Sequence, residues 1–153
     1  REGNESVEIL TTMVTLQEVP TEISYCICAY GCPLKCKGCS WYGETTHRSF
    51  TLEDMERVLT KYKNGIISCI CFLGGEWNSD FKDYLELCKK HGFKTCLYTG
   101  KDNVEDEDML AKLDYLKYGH WDASLGGLDS KTTNQVFLNL KTGEKLNNYF
   151  WKD

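Results

Sequence analysis

Proline is scarce, with two residues in a chain of 153, and no stretch is low in complexity. A long disordered tail or a Pro-rich linker is therefore not expected. Lysine and arginine form no stripe broad enough to follow a phosphate backbone, and the net charge is −5, so nucleic acid is not an expected partner. No apolar run approaches the roughly 20 residues needed to span a bilayer, so no membrane association is expected either. No signal-peptide pattern opens the chain at Arg1, and no internal repeat is visible. What remains is one globular domain over residues 1–153, long enough for one real core and too short for two. Its expected location is cytoplasmic.

Cysteine, in contrast, is abundant. Nine thiols is an odd number, and a disulfide framework would need an export signal beside it. In a reducing compartment cysteines serve as metal ligands or as small buried apolar groups. Cys26 with Cys28, and Cys69 with Cys71, share one strand face each, Cys88 lies in a helical apolar stripe and Cys96 in a strand. These six read as core packing. The remaining three, Cys32, Cys36 and Cys39, do not.

Two apolar runs read as fully buried strands. Residues 23–30 lead into the first of those three cysteines, and residues 66–73 lead into Gly74-Gly75-Glu76. Further strands are expected at Phe93–Tyr98, ending at Thr99-Gly100, and at Tyr115–Tyr118, ending at Gly119. Between them, Leu52, Met55, Leu59 and Tyr62 make one helical face behind a Thr51/Asp54 capping box. Phe81, Tyr84, Leu85 and Cys88 make another, closed by Gly92. The acidic run Glu105–Asp108 suits the first turn of a third helix. Strand and helix alternate, so the fold class is α/β with mostly parallel strands. After Gln135 the pattern changes, and Lys141-Thr142-Gly143 reads as the turn of a C-terminal hairpin between Val136–Leu140 and Glu144–Tyr149. The unusual residues all follow strand C-termini, the edge where parallel α/β folds bind ligands.

Thiolates are the usual ligands of iron–sulfur clusters. Cys32-x3-Cys36-x2-Cys39 places three within eight residues, enough to hold a four-iron cubane with one iron left open for a small molecule. Gly31, Pro33 and Gly38 supply loop character, and Lys35 and Lys37 put positive charge beside the thiolates. A simple electron carrier would use four ligands. A zinc site with His47 as fourth ligand is the other metal reading, although zinc more often takes its cysteines as two separated pairs.

The octapeptide from Cys32 to Cys39, followed about 35 residues later by Gly74-Gly75-Glu76, resembles the signature of the radical S-adenosylmethionine (SAM) superfamily. Gln17-Glu18-Val19-Pro20, Gly38, Tyr98-Thr99-Gly100, the segment 114–119 and the segment 126–135 resemble one branch of it, the small activating enzymes of anaerobic (class III) ribonucleotide reductase. Here His120-Trp121 stands where that branch usually has Pro-Tyr, and Ser40-Trp41 where it often has His or Tyr and then Asn.

The resemblance implies an incomplete (β/α) barrel of fewer than eight strands, with a wide lateral mouth. It implies that Cys32, Cys36 and Cys39 hold a [4Fe–4S] cluster whose open iron chelates SAM. It implies an oxidoreductase that cleaves SAM reductively to a 5′-deoxyadenosyl radical, which takes hydrogen from a glycine Cα of the reductase. Gly74, Gly75 and Glu76 would receive the SAM ammonium, Lys117 its carboxylate or ribose, Trp41 or Tyr42 its adenine, and Thr99 would lie beside them. The partners implied are the reductase and a one-electron donor such as flavodoxin or ferredoxin. Trp121, Trp151 and the loop 126–135 are candidates for the partner surface. Three rivals stand beside this: an activase of another glycyl-radical enzyme, a radical SAM enzyme acting on a small molecule, and a non-catalytic zinc or iron–sulfur module.

Overall fold

The structure is a computed structural model and describes residues 6–30 and 47–151. Cys32, Cys36, Cys39, Trp41 and Tyr42 lie outside the described residues. In chain order the elements are β1 (Ser6–Thr15), β2 (Ser24–Ala29), β3 (Arg48–Thr51), α1 (Leu52–Tyr62), β4 (Cys69–Leu73), α2 (Phe81–Lys90), β5 (Lys94–Tyr98), α3 (Glu107–Ala111), β6 (Tyr115–Tyr118) and β7 (Val136–Asn139). A 3-10 turn over Asn147–Phe150 closes the order.

The strands form one open sheet in the order β3-β1-β2-β4-β5-β6-β7. β2, β4, β5 and β6 are mutually parallel, and β1, β3 and β7 are antiparallel to their neighbours. The expected α/β class, with a mostly parallel sheet that does not close, is therefore what the chain adopts. All four parallel strands fall where the sequence places them, β2, β4 and β5 each shorter than its run and β6 over the expected Tyr115–Tyr118.

Register explains why those runs are apolar throughout. Ile27, Phe72, Leu97 and Leu116 form one cross-strand row and pack with Met55, Leu59, Phe81 and Leu85 of α1 and α2. The adjacent row, Cys26, Cys71, Cys96 and Tyr115, points to the other face and packs with Val19, Phe137 and Leu146. Both faces are covered, so both parities of each strand must be apolar. Full burial of a side chain such as Phe81 or Leu85 contributes roughly 1.5–3 kcal/mol. Cys26, Cys28, Cys69, Cys71, Cys88 and Cys96 are all buried free thiols.

The helices form for the reasons legible in the sequence. Thr51 Oγ1 accepts from the Asp54 amide at 3.1 Å while the Asp54 carboxylate accepts from the Thr51 amide at 2.8 Å, a complete capping box. In α2 the Phe81, Tyr84, Leu85 and Cys88 stripe is buried, and Tyr84 donates to the Phe50 carbonyl at 2.6 Å, tying α2 to β3. Asp106 caps α3 through the Met109 amide at 3.1 Å.

The C-terminal hairpin is shorter than expected. Its turn is present, with the Gly143 amide donating to the Asn139 carbonyl at 2.8 Å. Its return arm makes one bridge, Lys145 to Leu138, and then enters the 3-10 turn instead of continuing as strand to Tyr149. The buried Asn147 side chain sets this point. Its Oδ1 accepts from the Phe137 amide at 2.8 Å and its Nδ2 donates to the Gln135 carbonyl at 2.9 Å, replacing ladder bonds that a second strand would make.

Candidate functional site

The carboxyl ends of β4, β5 and β6 lie side by side. The ladder continues past them, from the Gly74 amide to the Tyr98 carbonyl at 3.0 Å and from the Thr99 amide to the Lys117 carbonyl at 2.9 Å. The chain leaves β4 through two left-handed residues, Gly74 (φ +87) and Gly75 (φ +103). A side chain is excluded twice over at Gly74, by this backbone and because an added Cβ would sit 2.9 Å from the Trp77 ring. The bend delivers Glu76 to the sheet edge.

Among the described residues Glu76 is held by one oxygen only. Thr99, which is buried, donates its hydroxyl to Glu76 Oε2 and accepts from the Lys101 amide at 3.2 Å. The other oxygen, Oε1, is buried and has no hydrogen-bond partner among the described residues. A buried carboxylate oxygen without a donor is costly, and an ammonium group is its natural complement. The residues at this edge therefore fit the amino end of a SAM molecule, with Glu76 as acceptor, Thr99 as its brace and Gly74-Gly75 giving close backbone approach.

Lys117 sits beside them in a different posture. It is buried, and its ammonium donates to the carbonyls of Gly119 at 3.0 Å and Thr99 at 3.3 Å. Its described contacts thus stitch the β5 and β6 ends together. Tyr98, the residue before Thr99, donates to the Glu18 carbonyl, and burial pushes its phenol well above the ordinary range.

Two features of this edge, Trp77 and Asp102, were not legible as site residues, and a third, Asn134, was named only as part of the segment 126–135. Trp77 directly follows Glu76, and its ring lies against Gly74 while remaining 38% exposed. Asp102 accepts from the His120 amide at 3.1 Å and meets its Nδ1 at 2.8 Å; the His120 side chain holds its carboxyl below the usual range. Asn134 donates to the His120 carbonyl at 3.1 Å, and its Oδ1 is buried without a described partner. The loop 126–135 folds on itself, with Thr133 donating to the Gly126 carbonyl at 2.8 Å. Of the candidate partner-surface aromatics, Trp151 is exposed under the Lys131 ammonium, and Trp121 lies half-buried against Gly127.

The described residues contain no group of three or more His, Cys, Asp and Glu side chains arranged to hold a metal ion. His47, the fourth ligand of the zinc reading, uses Nδ1 on Glu8 at 2.8 Å and stacks its ring on Tyr30. No helix among the described residues is long and apolar enough to cross a membrane.

The family model described as the radical SAM superfamily matches residues 26–145, well over half of the chain. No curated protein matches the chain.

Proposed function

The chain belongs to the radical SAM superfamily, and from that premise we propose that it is an activating enzyme of an anaerobic ribonucleotide reductase. Cys32, Cys36 and Cys39 would hold a [4Fe–4S] cluster, and Glu76, Gly74, Gly75 and Thr99 the amino end of SAM. When bound, such a cluster supplies the electron that cleaves SAM to a 5′-deoxyadenosyl radical, the species that takes hydrogen from a glycine Cα.

The chain's own work is to bind and to orient. Glu76 Oε1, which has no hydrogen-bond partner among the described residues, accepts from the SAM ammonium, and Thr99 fixes the angle from which it does so. Lys117 keeps the β5 and β6 ends in register through the carbonyls of Thr99 and Gly119. The six buried thiols pack the sheet interior, which leaves Cys32, Cys36 and Cys39 as the candidate cluster ligands.

Two observations support a protein substrate. Among the described residues the sheet is open, with β3 and β7 at its two margins, as a lateral approach of a protein substrate requires. The segments 17–20, 98–100, 114–119 and 126–135 resemble the reductase-activating branch. Lying at the carboxyl edge of the parallel strands, with one buried carboxylate oxygen unpaired among the described residues, Glu76 is the observation that carries the SAM site.

The test is electron paramagnetic resonance on the cognate pair. Anaerobically reconstituted chain, SAM, reductant and an anaerobic ribonucleotide reductase from the same source are expected to give a glycyl-radical signal, absent when SAM or the chain is omitted. An intact cluster with bound SAM and no radical on the reductase would reject the activase role and leave the superfamily chemistry in place.

A further inference from the structure

The two described residues that border the segment 31–46 are fastened to each other. Tyr30 and His47 stack with ring centroids 4.1 Å apart and an interplanar angle of 16°. Both are also fastened to a third residue, Glu8 of β1. Its backbone carbonyl accepts from the Tyr30 amide at 2.8 Å, and its Oε1 meets His47 Nδ1 at 2.8 Å. The other carboxylate oxygen accepts from Ser49 at 2.8 Å, and Glu8 faces Ser49 across the β1–β3 ladder. One strand residue thus anchors both chain ends, one through its main chain and one through its side chain.

This arrangement has no evident role in the core. The His47 and Glu8 side chains are 40% and 38% exposed, where an ion pair contributes little to stability. β3 is four residues long with one buried side chain, and Tyr84 already ties it to α2. What the three residues do fix is a distance, the span between positions 30 and 47. Cys32, Cys36 and Cys39 lie between those positions in the sequence. Bringing the ends of such a segment together has an entropic cost, and three thiolates must reach one cluster at the same time.

We propose that Tyr30, His47 and Glu8 form a tether that sets the span of the cysteine segment and thereby governs how firmly the cluster is held. The inference rests on the cluster reading given above. The three are positioning residues: none is a ligand, and each acts through the chain ends that it fixes. Stacking and a charge-assisted contact of this exposure together slow cluster loss by about fivefold.

The experiment uses the full chain, reconstituted anaerobically, as parent and as His47→Ala, Tyr30→Ala and Tyr30→Phe. Iron and sulfide are counted, the reduced cluster is recorded by electron paramagnetic resonance, and iron release to a ferrous chelator is timed. Far-UV circular dichroism and the thermal midpoint report the fold. His47→Ala is expected to release iron about fivefold faster than the parent, and Tyr30→Ala, which keeps the Glu8 contact, about twofold to threefold faster, each with a broadened cluster spectrum and an unchanged fold. Tyr30→Phe keeps the ring and is expected to match the parent, a rescue that general loss of stability would not produce. If His47→Ala fails to fold, Glu8→Gln probes the same contact and is expected to accelerate release about twofold. Release at the parent rate with an unchanged spectrum overturns the tether alone. A parent that takes up no iron and sulfide overturns the cluster reading and the tether with it.

Discussion

The Thr99 hydroxyl donates to one carboxylate oxygen of Glu76 and leaves the other buried without a described partner. The two residues stand at the carboxyl ends of adjacent parallel strands, Thr99 after β5 and Glu76 after the glycine bend that ends β4. Thr99 cannot easily shift, because its amide bonds the Lys117 carbonyl and its own carbonyl receives the Lys117 ammonium. The carboxylate is therefore aimed by a rigid edge.

Replacing Glu76 by Ala is expected to preserve the cluster and weaken SAM binding. A charge-assisted hydrogen bond is worth about 1.5–3 kcal/mol, so affinity falls roughly 10- to 150-fold. Equilibrium titration of SAM against the reconstituted protein measures this, and unchanged affinity would remove Glu76 from the site.

Thr99→Val keeps the shape and deletes the brace. SAM affinity is expected to fall about threefold to tenfold, less than for Glu76→Ala because the acceptor is still present. In the double variant the Thr99 effect should largely vanish, since it acts through Glu76. Additive losses in the titration would mean that the two residues work separately.

The parallel core was legible because burial on both faces leaves a continuous apolar run, and the three helices because their caps and stripes are local signals. β1 and β3 were not. In β1 a register irregularity between Ile9 and Thr11 breaks the alternation that marks a strand, and Met13 and Val14 are exposed. In β3 only Phe50 of four residues is buried. Gly74-Gly75-Glu76 could be read as a site from its place after an apolar strand. The brace from Thr99 could not, because it joins residues 23 positions apart through a sheet register that no local pattern encodes. The Tyr30–His47 stack was hidden for the same reason, since it depends on β1 lying between β2 and β3.

The opposite edge of the sheet is built for stability. Burial alone would raise the Glu22 carboxyl, but hydrogen bonds from Ser68, Lys94 and Tyr115 outweigh it and hold it below the usual range. Asp114 is likewise lowered against its burial, by Lys89 and the Thr95 amide. A carboxyl depressed in the folded state contributes stability above its unfolded pKa and loses it as pH falls through the folded value. The thermal midpoint is therefore expected to drop as pH falls below about 4.5, the ordinary value for Glu. Tyr115→Phe removes one donor, 2.7 Å from Glu22. It should cost roughly 1–3 kcal/mol at neutral pH and flatten that acid dependence. A midpoint insensitive to both changes would assign Glu22 no such role.

Burial pushes the Cys28 thiol up to about 12 and the Cys96 thiol up to about 11, from an ordinary 9.0. A raised thiol pKa means stability that is complete below about 9 and is lost as pH rises toward the folded values. Urea midpoints should accordingly fall between about pH 8.5 and pH 10.5. In the folded chain at about pH 8, iodoacetamide is expected to leave Cys28 and Cys96 unlabelled and to label them once urea is added. Labelling of either in the folded state, read by peptide mass spectrometry, would place that thiol at an accessible surface.

The most direct measurement is the product of SAM cleavage. The chain is reconstituted with iron and sulfide without air, reduced, given SAM, and its supernatant analysed for 5′-deoxyadenosine. The expected result is close to four iron and four sulfide per chain, with 5′-deoxyadenosine formed by the parent and by Cys88→Ala. Cys32→Ala, Cys36→Ala and Cys39→Ala should each abolish both cluster and product. Stoichiometric zinc without sulfide, and no 5′-deoxyadenosine from protein kept free of air throughout, would contradict the assignment of radical SAM chemistry to this chain.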